Sequence, residues 1–123
     1  MGYRSDVMAV FYTYDPTQYP AIKLFIDENI PEFFRGDKYM SKFEKANLHG
    51  LKFTMSDVKW YPSYPDVSEF KRATKGFNAV CESGVGWNWE FVRLGEEIED
   101  VEEKGSPNHE NLLYVVRSIE CDF

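Results

Sequence analysis

Cysteine and histidine are scarce in these 123 residues: Cys81 and Cys121, His49 and His109 are the whole supply. Two cysteines so far apart exclude a disulfide framework of the kind that holds small secreted domains together. A single bridge between them stays open, with two buried thiols the preferred reading. Neither histidine sits beside a nucleophile in sequence, and there is no glycine-rich phosphate loop, zinc-ligand spacing or nucleophile elbow. No catalytic residue, metal ligand or cofactor is therefore assigned, and a non-catalytic protein is expected. Long apolar runs are missing as well. The run Val7–Tyr12 is too short for a signal-peptide core or a membrane span. Asp6 stands where a myristoylation motif needs Ser or Thr, and Cys121, third from the end, does not fit a prenylation box. Basic residues are outnumbered, 14 Lys and Arg against 21 Asp and Glu, for a net charge of -7. Such a surface repels phosphate backbones, so neither nucleic acid nor a membrane is an expected partner, and a protein with a basic surface fits better.

What is present is enough for one core. The chain is 43% hydrophobic and 17% aromatic, which excludes disorder, and its length suits a single domain spanning 1–123. Met1-Gly2 leads almost directly into a strand, as expected of a domain that begins at its initiating methionine. Ser5–Tyr14 is apolar on both parities, the pattern of a strand covered on both faces and central in a sheet. Asp15-Pro16-Thr17 breaks the chain, and Tyr19, Ile22, Ile26 and Ile30, widened by Phe25, predict a helix that Pro31 ends. In 38–49, Tyr39, Phe43 and Ala46 would suit a short helix. A hairpin turning at His49-Gly50 is preferred, because glycine carries no penalty at positive φ.

Leu51–Tyr61 reads as the next strand, with a change of apolar parity that predicts a bulge near Ser56-Asp57. Pro65 opens a second helix whose buried stripe is Val67, Phe70, Thr74, Phe77 and Cys81, and Gly84 and Gly86 close it. Trp87–Leu94 is a strand, Glu97–Lys104 an acidic edge strand, and Leu112–Cys121 a last β-prone strand. The order predicts an α+β fold: an antiparallel sheet with two helices on one face, ferredoxin-like (split βαβ), with extra C-terminal strands. That fold supports many functions and selects none.

Three constellations carry candidate chemistry. Glu96, Glu97, Glu99, Asp100, Glu102 and Glu103 place six carboxylates in eight residues. The run lacks the spacing and glycine of a calcium loop, and is read as a solvated edge or as an acidic surface that occupies a basic groove. Trp87, Trp89 and Phe91, with Tyr12 and Tyr14 nearby, would stack bases if exposed. Core packing is preferred for them, and an exposed aromatic face would otherwise offer a homodimer interface. In the third, the expected topology brings Tyr3, Arg4 and Asp6 beside Lys59, Trp60 and Tyr61, with Arg93 close by. Cations beside aromatic planes suit a flat anionic ligand such as a nucleotide. The competing reading is an Arg4–Asp6 or Asp6–Lys59 ion pair at the sheet end.

The opening Met1-Gly2-Tyr3-Arg4-Ser5-Asp6-Val7 resembles that of small uncharacterised proteins encoded by bacteriophages and prophages. Val58–Val67 and Phe91–Glu97 are similar to the same group, and the three segments together cover about a fifth of the chain. The resemblance implies expression in the cytoplasm of a bacterial host and carries no activity or site residue. Two functions follow as expectations. The preferred one is an acidic binding module that modulates or blocks a host protein, such as a defence factor. The alternative is a protein that sequesters a small molecule or nucleotide at the Arg4/Lys59/Trp60 end of the sheet.

Overall fold

The computed structural model describes residues 3–107, 109–115 and 118–123. Its centre is strand β1, Ser5–Thr13, which pairs antiparallel on both sides. Helix α1, Tyr19–Asn29, follows a 3-10 turn that Asp15 caps by accepting from the Thr17 N–H. Strands β2, Met40–Lys45, and β3, Leu48–Val58, form a hairpin; helix α2 spans Pro65–Glu82; β4 is Trp87–Gly95 and β5 is Val101–Gly105. The five strands make one antiparallel sheet in the order β2-β3-β1-β4-β5. Two short strands, β6 (Leu113–Val115) and β7 (Ile119–Cys121), pair with each other. The architecture is thus a mixed α+β fold with a multi-stranded antiparallel sheet and two helices among the described residues.

The two parities of β1 serve two different cores. Val7, Ala9 and Phe11 pack with Ile22 and Ile26 of α1 and with Val67, Phe70 and Phe77 of α2. Val10 and Tyr12 point the other way and cluster there with Val92 of the neighbouring strand, under Leu112 and Leu113. Trp87, Trp89 and Phe91 lie on the helix side and are buried there. Phe11 meets Phe77 edge to face at 5.0 Å between ring centroids, and Phe70 meets Phe53 at 5.1 Å. Burial of each such ring contributes about 1.5–3 kcal/mol.

Several expectations are met in detail. Pro65 occupies the first turn of α2, and Gly84 and Gly86 follow its end at φ of 86° and 87°. The bulge falls where expected: two residues of β3, Ser56 and Asp57, separate Met55 from Val58, while Asp6 alone separates Ser5 from Val7 on β1. Asp57 takes positive φ there, and its N–H donates to Asp6 Oδ1 at 2.8 Å.

Other expectations need correction. The 38–49 segment is a hairpin, but it turns at Ala46-Asn47, both at positive φ as a two-residue type I′ turn demands. Asn tolerates that conformation because its short amide is compatible with it. Gly50 lies inside β3 opposite Tyr12, where a Cβ would come within 2.9 Å of Tyr12 Cα and would strike the Phe11 carbonyl. The glycine serves close approach of two strands, not a turn. The acidic segment is strand only from Val101; the residues before it form a turn closed by the Gly95 N–H donating to Asp100 O at 2.8 Å. The run Leu112–Cys121 is not one strand. It folds back so that Leu113 pairs with Cys121, and covers the Val10 and Tyr12 face of the sheet that a single extended edge strand would leave bare.

Candidate ligand-binding cleft and the acidic turn

The sheet topology places the start of β1 beside the end of β3, with Ser5 opposite Val58. Neither ion pair proposed for this end forms among the described residues. Instead Arg4 Nη1 donates to Asp57 O at 3.0 Å, and Asp6 holds the Asp57 N–H. Both side chains brace the bulge from opposite sides. Lys59 is exposed and makes no ion pair among the described residues. Tyr61 packs edge to face on Tyr64 at 5.1 Å.

Trp60 is 5% exposed and enters the main core against Phe34, Phe53, Phe70 and Phe91. Its Nε1 is buried with no hydrogen-bond partner among the described residues. The other two tryptophans differ: Trp87 Nε1 donates to Gln18 Oε1 and Trp89 Nε1 to Asn78 Oδ1, each at 2.9 Å. An unmet buried N–H costs about 1–3 kcal/mol. One wall of a cavity of about 440 Å³ is formed by Trp60 together with Phe33, Phe34, Tyr64 and Lys59. A second cavity of about 550 Å³, lined by Arg4, Lys38 and Tyr39, shares Phe33, Met55, Val58 and Lys59 with the first. The two therefore form one cleft with an aromatic floor and walls, three cations, and the carboxylates Asp57 and Asp66. Phe33 is 59% exposed at the boundary between them, a large ring left on the surface where a ligand would cover it.

The 3-10 turn Glu32–Arg35 builds this cleft. Pro31 stops α1, and the turn after it drives Phe34 into the core while leaving Phe33 outside. The periodicity argument ends at Pro31 and so misses Phe33. An adjacent pair of phenylalanines just beyond a helix stop is the available signal, since both cannot face one core.

Tyr3 and Arg93 belong to a different cluster. Arg93 holds Asp100 with two bonds, Nη1 to Oδ2 at 3.1 Å and Nη2 to Oδ1 at 2.7 Å. Its Nε donates to Glu102 at 3.1 Å, and Lys104 meets Glu102 at 2.8 Å. Tyr3 Oη donates to Asp100 at 2.6 Å and accepts from the Glu97 N–H at 3.1 Å. Hydrogen bonds from Arg93 first, then Tyr3, push the Asp100 carboxyl down to about 2. Burial would raise Glu102, yet Lys104 and Arg93 hold it below its usual value. Arg93 is in turn raised, chiefly by Asp100. With two carboxylates already on it, Arg93 is committed to the turn and is not brought to the cleft.

The same bonds divide the acidic run. Asp100 and Glu102 face inward, and Glu96 accepts the Arg4 N–H at 2.7 Å. Glu97, Glu99 and Glu103 remain exposed, with Ile98 80% exposed between the first two. No three His, Cys, Asp or Glu side chains converge as a metal site among the described residues. No helix among them is long and apolar enough to cross a membrane. The cysteines are free thiols, both half-buried: Cys81 on α2 packs against the helix-side core and Cys121 on β7 against the opposite one. Burial pushes the Cys81 thiol up to about 12.

Glu90 was not anticipated as a site residue. It lies between Trp89 and Phe91 on β4 and is 2% exposed. Strand alternation alone puts it opposite the aromatic face, which in an open sheet is solvent. The apolar pair Leu112-Leu113 was the signal that something covers that face. Glu90 accepts from Tyr12 Oη at 2.7 Å and from the Leu113 N–H at 3.0 Å, joining the sheet to its cover. Compared with family models, curated proteins and solved structures, the chain has no match.

Proposed function

We propose that this chain is a non-catalytic binding protein that takes a flat ligand bearing an anionic group, such as a nucleotide, in the cleft beside Lys59 and Trp60. The observation that carries the reading is Trp60, which lines the aromatic cleft beside an exposed Lys59 and, alone of the three tryptophans, has a buried indole N–H without a partner, both being unpaired among the described residues. An aromatic plane gives stacking area, Lys59, Lys38 and Arg4 supply cations, and the Trp60 N–H is a donor in want of an acceptor. In ferredoxin-like terms the strand order β2-β3-β1-β4 with α1 and α2 on the crossovers supports a split βαβ, to which β5 adds an edge. The setting we propose is the cytoplasm of a bacterial host, with the chain phage- or prophage-encoded. Titration of a mononucleotide and dinucleotide panel by calorimetry tests the binding. A Kd that weakens about tenfold in Lys59→Ala, a loss of ~1.4 kcal/mol, is the expected result. A folded protein that binds no member of the panel overturns it.

A second reading keeps the acidic turn as a surface for a basic host protein. It is favoured by Ile98, an exposed apolar side chain flanked by Glu97 and Glu99 on a turn held by Tyr3 and Arg93. It ranks below the cleft because Asp100 and Glu102 are already paired with Arg93 and Glu96 is held by the Arg4 N–H. A pull-down from bacterial lysate at low and high salt addresses it: a stoichiometric partner lost at high salt and lost on Glu99→Lys is the expected outcome. A homodimer, if one forms, would use a face other than that of Trp87, Trp89 and Phe91, which the helices cover.

A further inference from the structure

Glu90 poses a question that the cleft does not answer. Its carboxylate is buried, its two oxygens accept one neutral donor each, and no cation lies within ion-pair distance among the described residues. Buried carboxylates are as a rule matched by a cation or neutralised. Tyr12 does not fill that role: burial pushes its hydroxyl upward, so it stays a neutral donor. Lys104, the nearest lysine on the neighbouring strand, is engaged by Glu102.

Beside Glu90 lies a cavity of about 230 Å³ between β4, β5 and the segment leading to β6. Its lining includes Glu90, Glu103, His109 and Asn111, and also Lys104, whose ammonium is held by Glu102. The mouth is at the surface, since Glu103 and Asn111 are exposed while Glu90 and Leu113 at the other end are buried. His109 Nδ1 sits 2.5 Å from the Ser106 carbonyl. A carbonyl only accepts, so Nδ1 carries the hydrogen there, and Nε2 is an acceptor whenever the ring holds that one hydrogen alone. Gly105 makes room for that ring: a Cβ there would lie 2.8 Å from His109 Nδ1. The cavity therefore presents carboxylate, imidazole and amide groups around the buried Glu90 carboxyl. Among the described residues it lacks the three converging ligands that a metal ion would need.

We propose that this cavity is a second binding site, taking the ammonium or guanidinium head of an organic cation, with Glu90 as its counter-charge. Several N–H donors on one positive head match the several acceptors of the wall, and the head supplies the charge that Glu90 lacks. The head belongs either to a free amine or to a lysine or arginine side chain of another protein. The reading is independent of the Lys59–Trp60 cleft.

Calorimetric titration with agmatine and with Nα-acetyl-lysine methylamide separates the two sources. Saturable binding of agmatine alone assigns a free amine, and binding of the capped lysine assigns a side chain; either supports the proposal. Glu90→Gln, which keeps an acceptor for Tyr12 or Leu113, should weaken that binding at least tenfold. Gly105→Ala, which displaces His109 and leaves Glu90 in place, should weaken it severalfold and serves if Glu90→Gln fails to fold. Lys59→Ala should leave it unchanged. Folded wild-type protein that binds neither compound overturns the proposal, as does binding that Gly105→Ala leaves intact.

Discussion

Replacing Trp60 with Phe separates what this side chain does for folding from what it does for a ligand. The substitution removes an N–H that has no partner and part of an indole that contacts Phe34, Phe53, Phe70 and Phe91. Loss of ring volume in a packed core costs about 1–2 kcal/mol. Removal of the unmet donor returns about 1–3 kcal/mol. The two nearly cancel, so Trp60→Phe should unfold within about 1 kcal/mol of the wild type. Trp87→Phe and Trp89→Phe lose comparable volume, and each also breaks a 2.9 Å bond to the Gln18 or Asn78 side chain. They should be less stable than Trp60→Phe by about 2–4 kcal/mol, on the order of 8–15 °C in Tm for a domain of this size. Urea unfolding followed by far-UV circular dichroism, with a common m-value, measures the difference. Affinity should move in the opposite order, with Trp60→Phe alone weakening the cleft ligand. If Trp60→Phe proves as destabilising as Trp89→Phe, the Trp60 N–H is satisfied in solution and the argument for an acceptor-bearing ligand fails.

Gly50→Ala drives a methyl into the β1 backbone and should destabilise by about 2–3 kcal/mol, the upper part of the range for overpacking; the urea midpoint reads it, and a change under 0.5 kcal/mol contradicts the packing given above. Asp100 has a folded pKa of about 2, depressed from 3.8. Its stabilising effect is thus complete above about pH 4 and is lost as pH falls toward 2. Asp100→Asn should remove that part of the acid-side decline while lowering stability at neutral pH, as thermal melts from pH 2 to 7 would show. Cys81 should resist alkylation by iodoacetamide at pH 8 in the native protein and react on unfolding, because burial keeps it in the thiol form; equal rates in both states contradict that burial.

How far the sequence could be read depended on whether a residue's job was local. The double-sided apolar run of β1, the helical stripes, Pro65 at a helix start and the parity change at Asp57 are rules of one segment, and they hold. Gly50 was misassigned because its cause is Tyr12 on another strand, far off in sequence. The folding back of Leu112–Cys121 likewise answers a demand from the Val10 and Tyr12 face. At the cleft, Lys59 and Trp60 were found through topology, and Arg4 lies there as expected. Arg93 was not: a nearby cation counts for a ligand only if no carboxylate claims it first, and Asp100 and Glu102 both do. Phe33 and Glu90 escaped because each departs from its segment's pattern for reasons set by a neighbour.

The division of the core by the sheet gives the molecule a grain. On one side, helices and aromatic rings interlock through many contacts. On the other, the C-terminal stretch is fastened at a few points: Glu90 to Leu113, Tyr12 to the Glu110 N–H, and Phe43 stacked on Phe123 at 4.3 Å. Such a cover can peel away while the helical side stays folded, a partial opening with its own free energy below that of global unfolding. Amides of β6 and β7 should then exchange with solvent sooner than those of β1. Whatever enters beside Glu90 would act as a latch, slowing exchange on that side of the sheet alone.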